Sequence, residues 1–382
     1  MGGLTEPSKF LAMLTVKRVS KSRDDSPIAA SRVGQPLKNN SPQKDGARDL
    51  TDTDAFAINI SNRSALPNTL CTWTFNVFLD NKESLLPFVA LELLRPFLVS
   101  SMVSEAVALS ITTKLCATYT QLPFHNVFHG VSTMQVALTI AHTVPKVSAS
   151  LTDFEVFLLA VASLGHDAGH TGYNNAYEVA VKSSIALAHG NDGPVLERFH
   201  ASQTNAIIEA SGALAFLDDN AREAALYSIM SAIMATDMAQ HNAIVNDLEQ
   251  CIETDGGLGA LSLDALLCPI VHCADLSAHA FSRDVSLAWT ARISDEFANQ
   301  INAEKCSGLL QTPFLLGLER PLARMKMQAF FCTTVVMPLW RALAALCDGA
   351  LDEPMRNLNA NAEYYADECK SLIEESKNVC FD

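Results

Sequence analysis

The sequence predicts an all-α protein, with one large multi-helix domain behind a disordered N-terminal arm. Hydrophobic residues make up 49% of the 382 residues and charged residues only 18%, so the chain can build a large core. Beyond about residue 65, apolar residues recur every three or four positions, and alternating strand patterns are scarce. The composition and the net charge of -15 exclude a disordered protein or a nucleic-acid-coating protein as the main interpretation.

The arm, residues 1–60, is basic and rich in serine and proline. Residues 1–50 carry nine Lys or Arg and five Asp or Glu, a net charge of +4, which leaves -19 for the remainder. Such a composition buries too little apolar surface to offset chain entropy. We therefore expect a disordered arm and place the folded domain at residues 65–375.

The first helical pattern lies between Leu85 and Ile111, where Leu86, Val89 and Leu93 recur with helical spacing. Three charged side chains interrupt this stretch: Glu92, Arg95 and Glu105. Charges at these positions would be costly in the middle of a bilayer. The stretch predicts a packed helix pair and no membrane span.

A later helix begins at a capping signal, Thr152 followed by Glu155, and continues with Phe157, Leu158 and Val161. Glycine clusters at 165–172, 190–193 and 255–259 separate helices, but none is long enough to form a domain linker. We find no internal repeat and no glycine-rich phosphate loop. These patterns predict one helical domain.

The ten cysteines include no Cys-x-x-Cys pair, and many lie in apolar runs. They resemble small buried hydrophobic residues in a protein kept under reducing conditions. The N-terminus lacks a long apolar secretory core. We therefore expect a cytoplasmic protein.

Histidines carry the strongest chemical signal. Seven of the ten lie in short polar clusters beside apolar runs: His125, His129, His166, His170, His200, His241 and His272. His166 and His170 are one helical turn apart, which predicts a shared helix face beside Asp167. His125 and His129 repeat this spacing. Histidine is a common metal ligand.

Two further motifs join carboxylates to histidines: Thr236-Asp237 with His241, and His272 with Asp275. A buried carboxylate needs a cation or several donors. One His-x-x-x-His pair alone is typical of a core or surface helix. Several such clusters, mixing imidazole and carboxylate, favour Zn²⁺ beside an oxygen-preferring ion such as Mg²⁺ or Mn²⁺. The residues therefore indicate a metal-dependent hydrolase with a binuclear site.

Five motifs occur in a fixed order between about Trp73 and about Tyr365. They are His125-Asn126-x-x-His129, His166-Asp167-x-x-His170-x-Gly172-x-x-Asn175, Ala235-Thr236-Asp237-Met238-x-x-His241, His272-Cys273-Ala274-Asp275-Leu276-Ser277 and Gln328-x-x-Phe331. In this order and spacing they resemble the catalytic domain of the class I 3′,5′-cyclic nucleotide phosphodiesterases, within the histidine-aspartate metal phosphohydrolase superfamily.

The resemblance implies that His129, His166, Asp167 and Asp275 bind a tight metal ion, usually Zn²⁺. Asp167 would bridge to a second ion, Mg²⁺ or Mn²⁺, and the two cations would hold an activated hydroxide that attacks phosphorus. His125 would be the general acid for the departing 3′ oxygen. The product would be a nucleoside 5′-monophosphate.

The remaining implied residues fall into two groups. The residues that would orient metal-bound water and the acid are His170, Glu197, Thr236 and Asp237. Those that would contact the substrate are Gln328, Phe331, Leu276, Met238 and Asn126. Gln328 matches a purine-binding glutamine and Phe331 an aromatic clamp, on one face of a helix that we expect to end near Pro338.

Substrate choice is open at this level, because an amide can present its oxygen or its nitrogen first. We favour cAMP, and cGMP or both nucleotides are also compatible with the motifs. Ala278 stands where relatives often have a polar, base-contacting residue. Further departures from the family pattern are Gly169, Thr171, Gly190 and the segment Gly308 to Leu322, which lines the pocket in relatives. A catalytically weak, cyclic-nucleotide-binding relative is therefore a competing interpretation.

Three more interpretations compete with the phosphodiesterase: a different histidine-aspartate metal phosphohydrolase that acts on nucleotides, a cyclic-nucleotide sink without turnover, and a helical scaffold with incidental histidines. For partners, we expect a cyclic nucleotide, no nucleic acid and no membrane span. The sequence is compatible with a homodimer.

Overall fold

The computed structural model describes residues 70–78, 83–253 and 257–379. The regular elements in these ranges are α-, 3-10 and π-helices, and none of the described residues forms a strand. The all-α prediction is therefore confirmed. The predicted arm, residues 1–60, lies outside the described residues, so the arm and the domain boundaries stay predictions.

The described helices follow one another with short connections. They are α1 (Leu86–Leu98), α2 (Glu105–Thr118), α3 (Val127–Thr143), α4 (Pro145–Ser150), α5 (Asp153–Gly165), α6 (Asn175–Ala180), α7 (Ser184–Ala188), α8 (Val195–Ser211), α9 (Asp219–Met234), α10 (His241–Ile252), α11 (Leu263–Asp275), α12 (Arg283–Cys306), α13 (Pro321–Phe331), α14 (Met337–Ala345) and α15 (Asp352–Val379). Short 3-10 helices lie at Glu83–Leu85, Met238–Gln240, Gly257–Ala260, Ala278–Ala280 and Pro313–Leu315.

Helices α1 and α2 form the predicted pair. The side chain of Ser104 caps α2 by accepting a hydrogen bond from the backbone N–H of Val107. Arg95 forms ion pairs with Glu92 of its own helix and with Glu105 of α2, so the charges that interrupt the apolar stretch pair with one another between two packed helices. No described helix combines the length and the apolar character that crossing a membrane requires.

The core is built around α3 and α5, which pack along each other, and α11 packs against both. A capping box begins α5 as predicted, because Thr152 accepts from Glu155 N–H while the Glu155 carboxylate accepts from Thr152 N–H. The side chains of Phe157 and Val161 are buried on this helix. This packing brings the start of α3 and the ends of α5 and α11 together.

The expectation that the helix of Gln328 ends near Pro338 is wrong. Helix α13 ends at Phe331, a π-helical turn follows at Cys332–Val336, and α14 begins at Met337. Pro338 has no N–H to donate, and its ring would collide with the carbonyl four residues earlier. The helix instead forms a wider π-turn, in which the N–H of Met337 donates to the carbonyl of Cys332, five residues earlier.

Candidate active site

Four potential metal ligands meet where three helix ends converge. His129 lies in the first turn of α3, Asp275 is the last residue of α11, and His166 and Asp167 directly follow α5. All three helices are fixed by the core, so the ligands are placed by rigid elements. The four side chains could hold one metal ion.

The distances among these four side chains are short and similar. The Nε2 atom of His129 lies 3.1 Å from Nε2 of His166, 3.1 Å from Oδ1 of Asp275 and 3.3 Å from Oδ2 of Asp167. The Nε2 atom of His166 lies 3.1 Å from Asp167 Oδ2 and 3.2 Å from Asp275 Oδ1. A tetrahedral Zn²⁺ site with bonds of about 2.0–2.1 Å places neighbouring ligand atoms about 3.3–3.4 Å apart. The spacing therefore fits one metal ion with bonds of this length.

Protonation states also fit a metal ion at this point. The Nδ1–H of His166 donates to the carbonyl of Ser163 at 2.8 Å, so in the neutral ring the Nε2 lone pair faces the two carboxylates. Burial raises the pKa of Asp167, but His166 and His125 outweigh it and hold the pKa well below its usual range. Burial also raises the pKa of Asp275, but His166 and His129 outweigh it, so the pKa is lowered. Burial lowers the pKa of His166, but Asp167 and Asp275 outweigh it and raise the pKa well above its usual value. The two carboxylates therefore favour a cation at Nε2, which is either a proton or a bound metal ion.

A second set of donors lies beside the first. His200 donates its Nδ1–H to the carbonyl of Ala168 at 2.8 Å, which leaves the Nε2 lone pair 3.7 Å from Oδ1 of Asp167. This Nε2 atom is buried and has no hydrogen-bond partner in the described chain. His170 completes the group. Asp167 can therefore face the first ion with one oxygen and a second ion with the other.

The predicted shared helix face of His166 and His170 is wrong. Helix α5 ends at Gly165, and residues 166–169 form turns. Gly169 has φ of +79°, in the left-handed region, and a Cβ there would lie 2.9 Å from the Phe199 ring. The left-handed backbone at Gly169 turns the chain just before His170, which lines the cavity, and an aspartate at position 169 would not fit this backbone.

His125 precedes Asn126, the N-cap residue of α3. It is paired with a carboxylate, Glu296, that the sequence motifs did not reveal. The Glu296 carboxylate of α12 pairs with Nδ1 of His125 and accepts the backbone N–H groups of Phe124 at 2.8 Å and His125 at 3.1 Å. On its other side, the His125 ring stacks on His170 with centroids 4.0 Å apart. The ring is held from two sides.

This environment sets the charge of each ring. Burial lowers the pKa of His125, but Glu296 and Asp167 outweigh it and raise the pKa to about 9. Burial and the neighbouring His125 hold the pKa of His170 well below its usual value. The pKa of Glu296 falls to about 2, because His125 outweighs the effect of burial. These shifts favour a protonated His125 and a neutral His170 at neutral pH.

Acidic and polar groups line the far side of the metal cluster. Glu197 accepts two hydrogen bonds from Nδ2 of Asn175, at 3.2 and 2.9 Å. Burial, followed by the nearby charge of Asp237, raises the pKa of Glu197 to about 7. Thr236 and Asp237 line the same cavity. These groups can receive and orient water near the second ion.

A cavity of about 240 Å³ extends from Asp167 and Asp275 to Gln328 and Phe331. Two further predicted substrate contacts, Leu276 and Met238, are in its wall. Asn126 is not in the wall. Its side chain accepts from Phe128 N–H and donates to the carbonyls of Leu122 and Pro123, so it is an N-cap and its polar atoms are all engaged.

His279, which no sequence motif marks, holds Gln328. The His279 Nε2 atom lies 3.0 Å from Oε1 of Gln328, and both side chains are buried. Burial lowers the pKa of His279 to about 4, so the ring is neutral and donates Nε2–H to the amide oxygen. Its ring centroid is 5.8 Å from that of Phe331. His279 stands alone in the sequence, outside the histidine clusters.

Two more departures from the family pattern have structural explanations. Gly190 has φ of +104°, and a Cβ there would collide with the Arg198 guanidinium. Arg198 donates to the carbonyls of His189 and Asp192 and so closes this loop without an aromatic residue. Thr171 donates to the buried Glu178 carboxylate at 2.6 Å.

The comparisons with known proteins agree on one family. A family model described as 3′5′-cyclic nucleotide phosphodiesterase matches residues 124–358. The 3′,5′-cyclic-AMP phosphodiesterase 4C of Mus musculus is 28% identical over 332 residues, which are 84% of this chain and 46% of that protein. The high affinity cGMP-specific 3′,5′-cyclic phosphodiesterase 9A of Drosophila melanogaster is 30% identical over 253 residues, 65% of this chain and 16% of that protein.

The chain thus spans less than half the length of these relatives. Among solved structures, it is similar to the phosphodiesterase domain of the RhoPDE fusion protein from the choanoflagellate Salpingoeca rosetta. The TM-score is 0.73 at 24% sequence identity, and the match covers 82% of this chain and 99% of that chain. This likeness supports the all-helical fold.

Proposed function

The chain belongs to the 3′,5′-cyclic nucleotide phosphodiesterase family, and we propose that it hydrolyses 3′,5′-cyclic nucleotides to nucleoside 5′-monophosphates. One observation carries the proposal: a single cavity joins Asp167 and Asp275 of the metal cluster to a side-chain amide, Gln328, that His279 holds in place, and to an aromatic side chain, Phe331. The metal cluster suits a phosphate, and the amide with the aromatic ring suits a flat base.

We assign the tight site to Zn²⁺, which His129, His166, Asp167 and Asp275 would hold, because a set of imidazole nitrogen and carboxylate oxygen donors suits this ion. We assign the second site to Mg²⁺ or Mn²⁺, which Asp167 would hold together with water. When bound, two divalent cations neutralise phosphoryl charge and lower the pKa of water. His170, Glu197, Thr236 and Asp237 then orient water on the second ion.

His125 supplies the proton for the departing 3′ oxygen. Its Nδ1 is paired with Glu296, so the proton available to substrate is on Nε2, and His125 lines the cavity. The Glu296 carboxylate stabilises the imidazolium, and the stacked ring of His170 restricts its orientation. General acid catalysis of this kind contributes roughly 10²–10⁴-fold to a rate.

Phe331 stacks on the base and Gln328 reads its edge. With its oxygen held by His279, the amide offers its NH₂ group, which can donate to a ring nitrogen of adenine or to O6 of guanine. We propose cAMP as the favoured substrate and cGMP as a second one. The relatives support both, since one is named for cyclic AMP and another for cGMP.

Metal reconstitution tests this function. The protein, stripped with a strong chelator, should hydrolyse neither cAMP nor cGMP, and Zn²⁺ with Mg²⁺ or Mn²⁺ should restore turnover. A panel with nucleoside triphosphates and dinucleotides separates different metal phosphohydrolases, and tight binding without turnover would identify a nucleotide sink. Turnover indifferent to metal would refute the mechanism. The homodimer and the cytoplasmic location stay predictions.

A further inference from the structure

A buried carboxylate, Glu304, ties the segment between α12 and α13, residues 307–320, to the end of α12. Glu304 is only 4% exposed, and within the described ranges it forms no ion pair. Its oxygens accept from Thr312 N–H at 2.7 Å, from the Thr312 hydroxyl at 2.5 Å and from Nε2 of Gln300 at 2.9 Å. A buried carboxylate without a cation depends on such donors, and two of these three belong to Thr312.

Thr312 determines where the next residues lie. Pro313 has a restricted φ, and the N–H of Leu315 bonds to the carbonyl of Thr312 at 3.1 Å, forming the short helix Pro313–Leu315. Leu315 is buried, and Phe314 lines the cavity. The hydrogen bonds of Thr312 therefore set the position of an aromatic side chain in the cavity wall.

Gln300 extends this contact to the opposite segment. Its Oε1 atom accepts the N–H of Asn174 at 3.0 Å, while its Nε2 donates to Glu304. Asn174 caps α6, and both Asn174 and Gln300 line the cavity. One chain of hydrogen bonds thus joins the segment after the metal-binding turn, helix α12 and the segment of Phe314.

We propose that Glu304 and Thr312 form a latch that holds residues 312–316 against α12 and keeps Phe314 in the cavity wall. Both are positioning residues for substrate binding. The identity of the ligand rests on the proposed function, and the hold on the segment does not. Neither side chain lines the cavity. Releasing the latch therefore weakens substrate binding and leaves the metal ligands and His125 in place.

The variant Thr312→Val removes the hydroxyl at nearly constant shape, and Thr312→Ser is the matched control that keeps it. For Thr312→Val, we expect KM for cAMP to rise about tenfold and kcat to change less than about twofold. Thr312→Ser should restore the wild-type KM. Glu304→Gln, which keeps one acceptor oxygen, should raise KM in the same direction.

Hydrogen exchange of the full chain without nucleotide gives a second measurement. In Thr312→Val, the amides of residues 309–317 should exchange faster, while those of α11 stay unchanged. Wild-type exchange and wild-type KM in this variant, or faster exchange throughout the chain, would overturn the latch. If the wild-type protein hydrolyses no cyclic nucleotide, the proposed function fails, and the exchange measurement still decides the latch.

Discussion

The carboxylate of Glu296 faces Nδ1 of His125 and also accepts the backbone N–H of the same residue at 3.1 Å. The two residues are 171 positions apart in the chain. His125, which we propose as the proton donor, therefore lies against a counter-charge that α12 brings, and this pairing favours the protonated imidazole near neutral pH.

The variant Glu296→Gln removes this charge and keeps an oxygen acceptor for the backbone. His125 acts as the protonated acid, so activity is present below its pKa and lost above it. The pKa is raised to about 9 in the folded protein, and bound divalent cations reduce this rise. Removing an adjacent opposite charge lowers a histidine pKa by about one unit or more, so the alkaline limb of kcat/KM against pH should move to lower pH.

Asp295→Asn is the control for this profile. Asp295 is the neighbouring residue of α12 and is exposed, so its loss should leave the alkaline limb in place. An unchanged limb in Glu296→Gln would show that Glu296 does not set the pKa of the catalytic acid.

Separate roles for His125 and the metal ligands give a second prediction. His125→Ala should lower kcat by roughly 10²–10⁴-fold and retain the wild-type metal content, measured by elemental analysis. Asp275→Ala should lose the tight ion together with activity. His142→Ala, at an exposed position, serves as the control. Equal loss of metal and turnover in His125→Ala would make His125 a ligand.

The hydrogen bond between His279 and Gln328 gives a third prediction. His279→Phe keeps a flat ring and removes the N–H donor, so the amide can turn to present either end. The ratio of kcat/KM for cAMP to that for cGMP should move towards one, with metal content unchanged.

Gln328→Ala should raise KM for both nucleotides, since the contact with the base edge is lost. An unchanged KM in this variant would exclude the glutamine from substrate binding. An unchanged nucleotide ratio in His279→Phe would exclude His279 from base selection.

Metal removal should also destabilise the fold, because the cluster of His129, His166, Asp167 and Asp275 lies at the ends of three core helices. Binding to the folded state alone stabilises it by about 4 kcal/mol at a ligand concentration about a thousand times Kd. Thermal unfolding should therefore begin several degrees lower in chelator, and Zn²⁺ should reverse the change. A melting temperature insensitive to chelator and metal would contradict a metal ion in this cluster.

The sequence predicted the helices because they depend on local patterns, namely apolar spacing and a capping box. His-Asp motifs marked candidate ligands, but the set His129, His166, Asp167 and Asp275 followed from the resemblance to a family, since His129 and Asp275 are 146 residues apart. The sequence misplaced His166 and His170 on one helix face, since α5 already ends at Gly165 and the chain between the two histidines forms turns with a positive φ at Gly169. It missed Glu296 and His279 because their partners lie 171 and 49 residues away. Contacts of this kind follow from the packing of α12 and α13 and leave no motif.

Hydrolysis of cAMP in H₂¹⁸O by the metal-loaded protein tests the central claim most directly. We predict that 5′-AMP is the only nucleotide product, that its phosphate carries one ¹⁸O per turnover, and that chelator abolishes the reaction. A 3′-monophosphate product, ¹⁸O outside the phosphate, or no turnover by protein shown to contain both metal ions would contradict the proposed function.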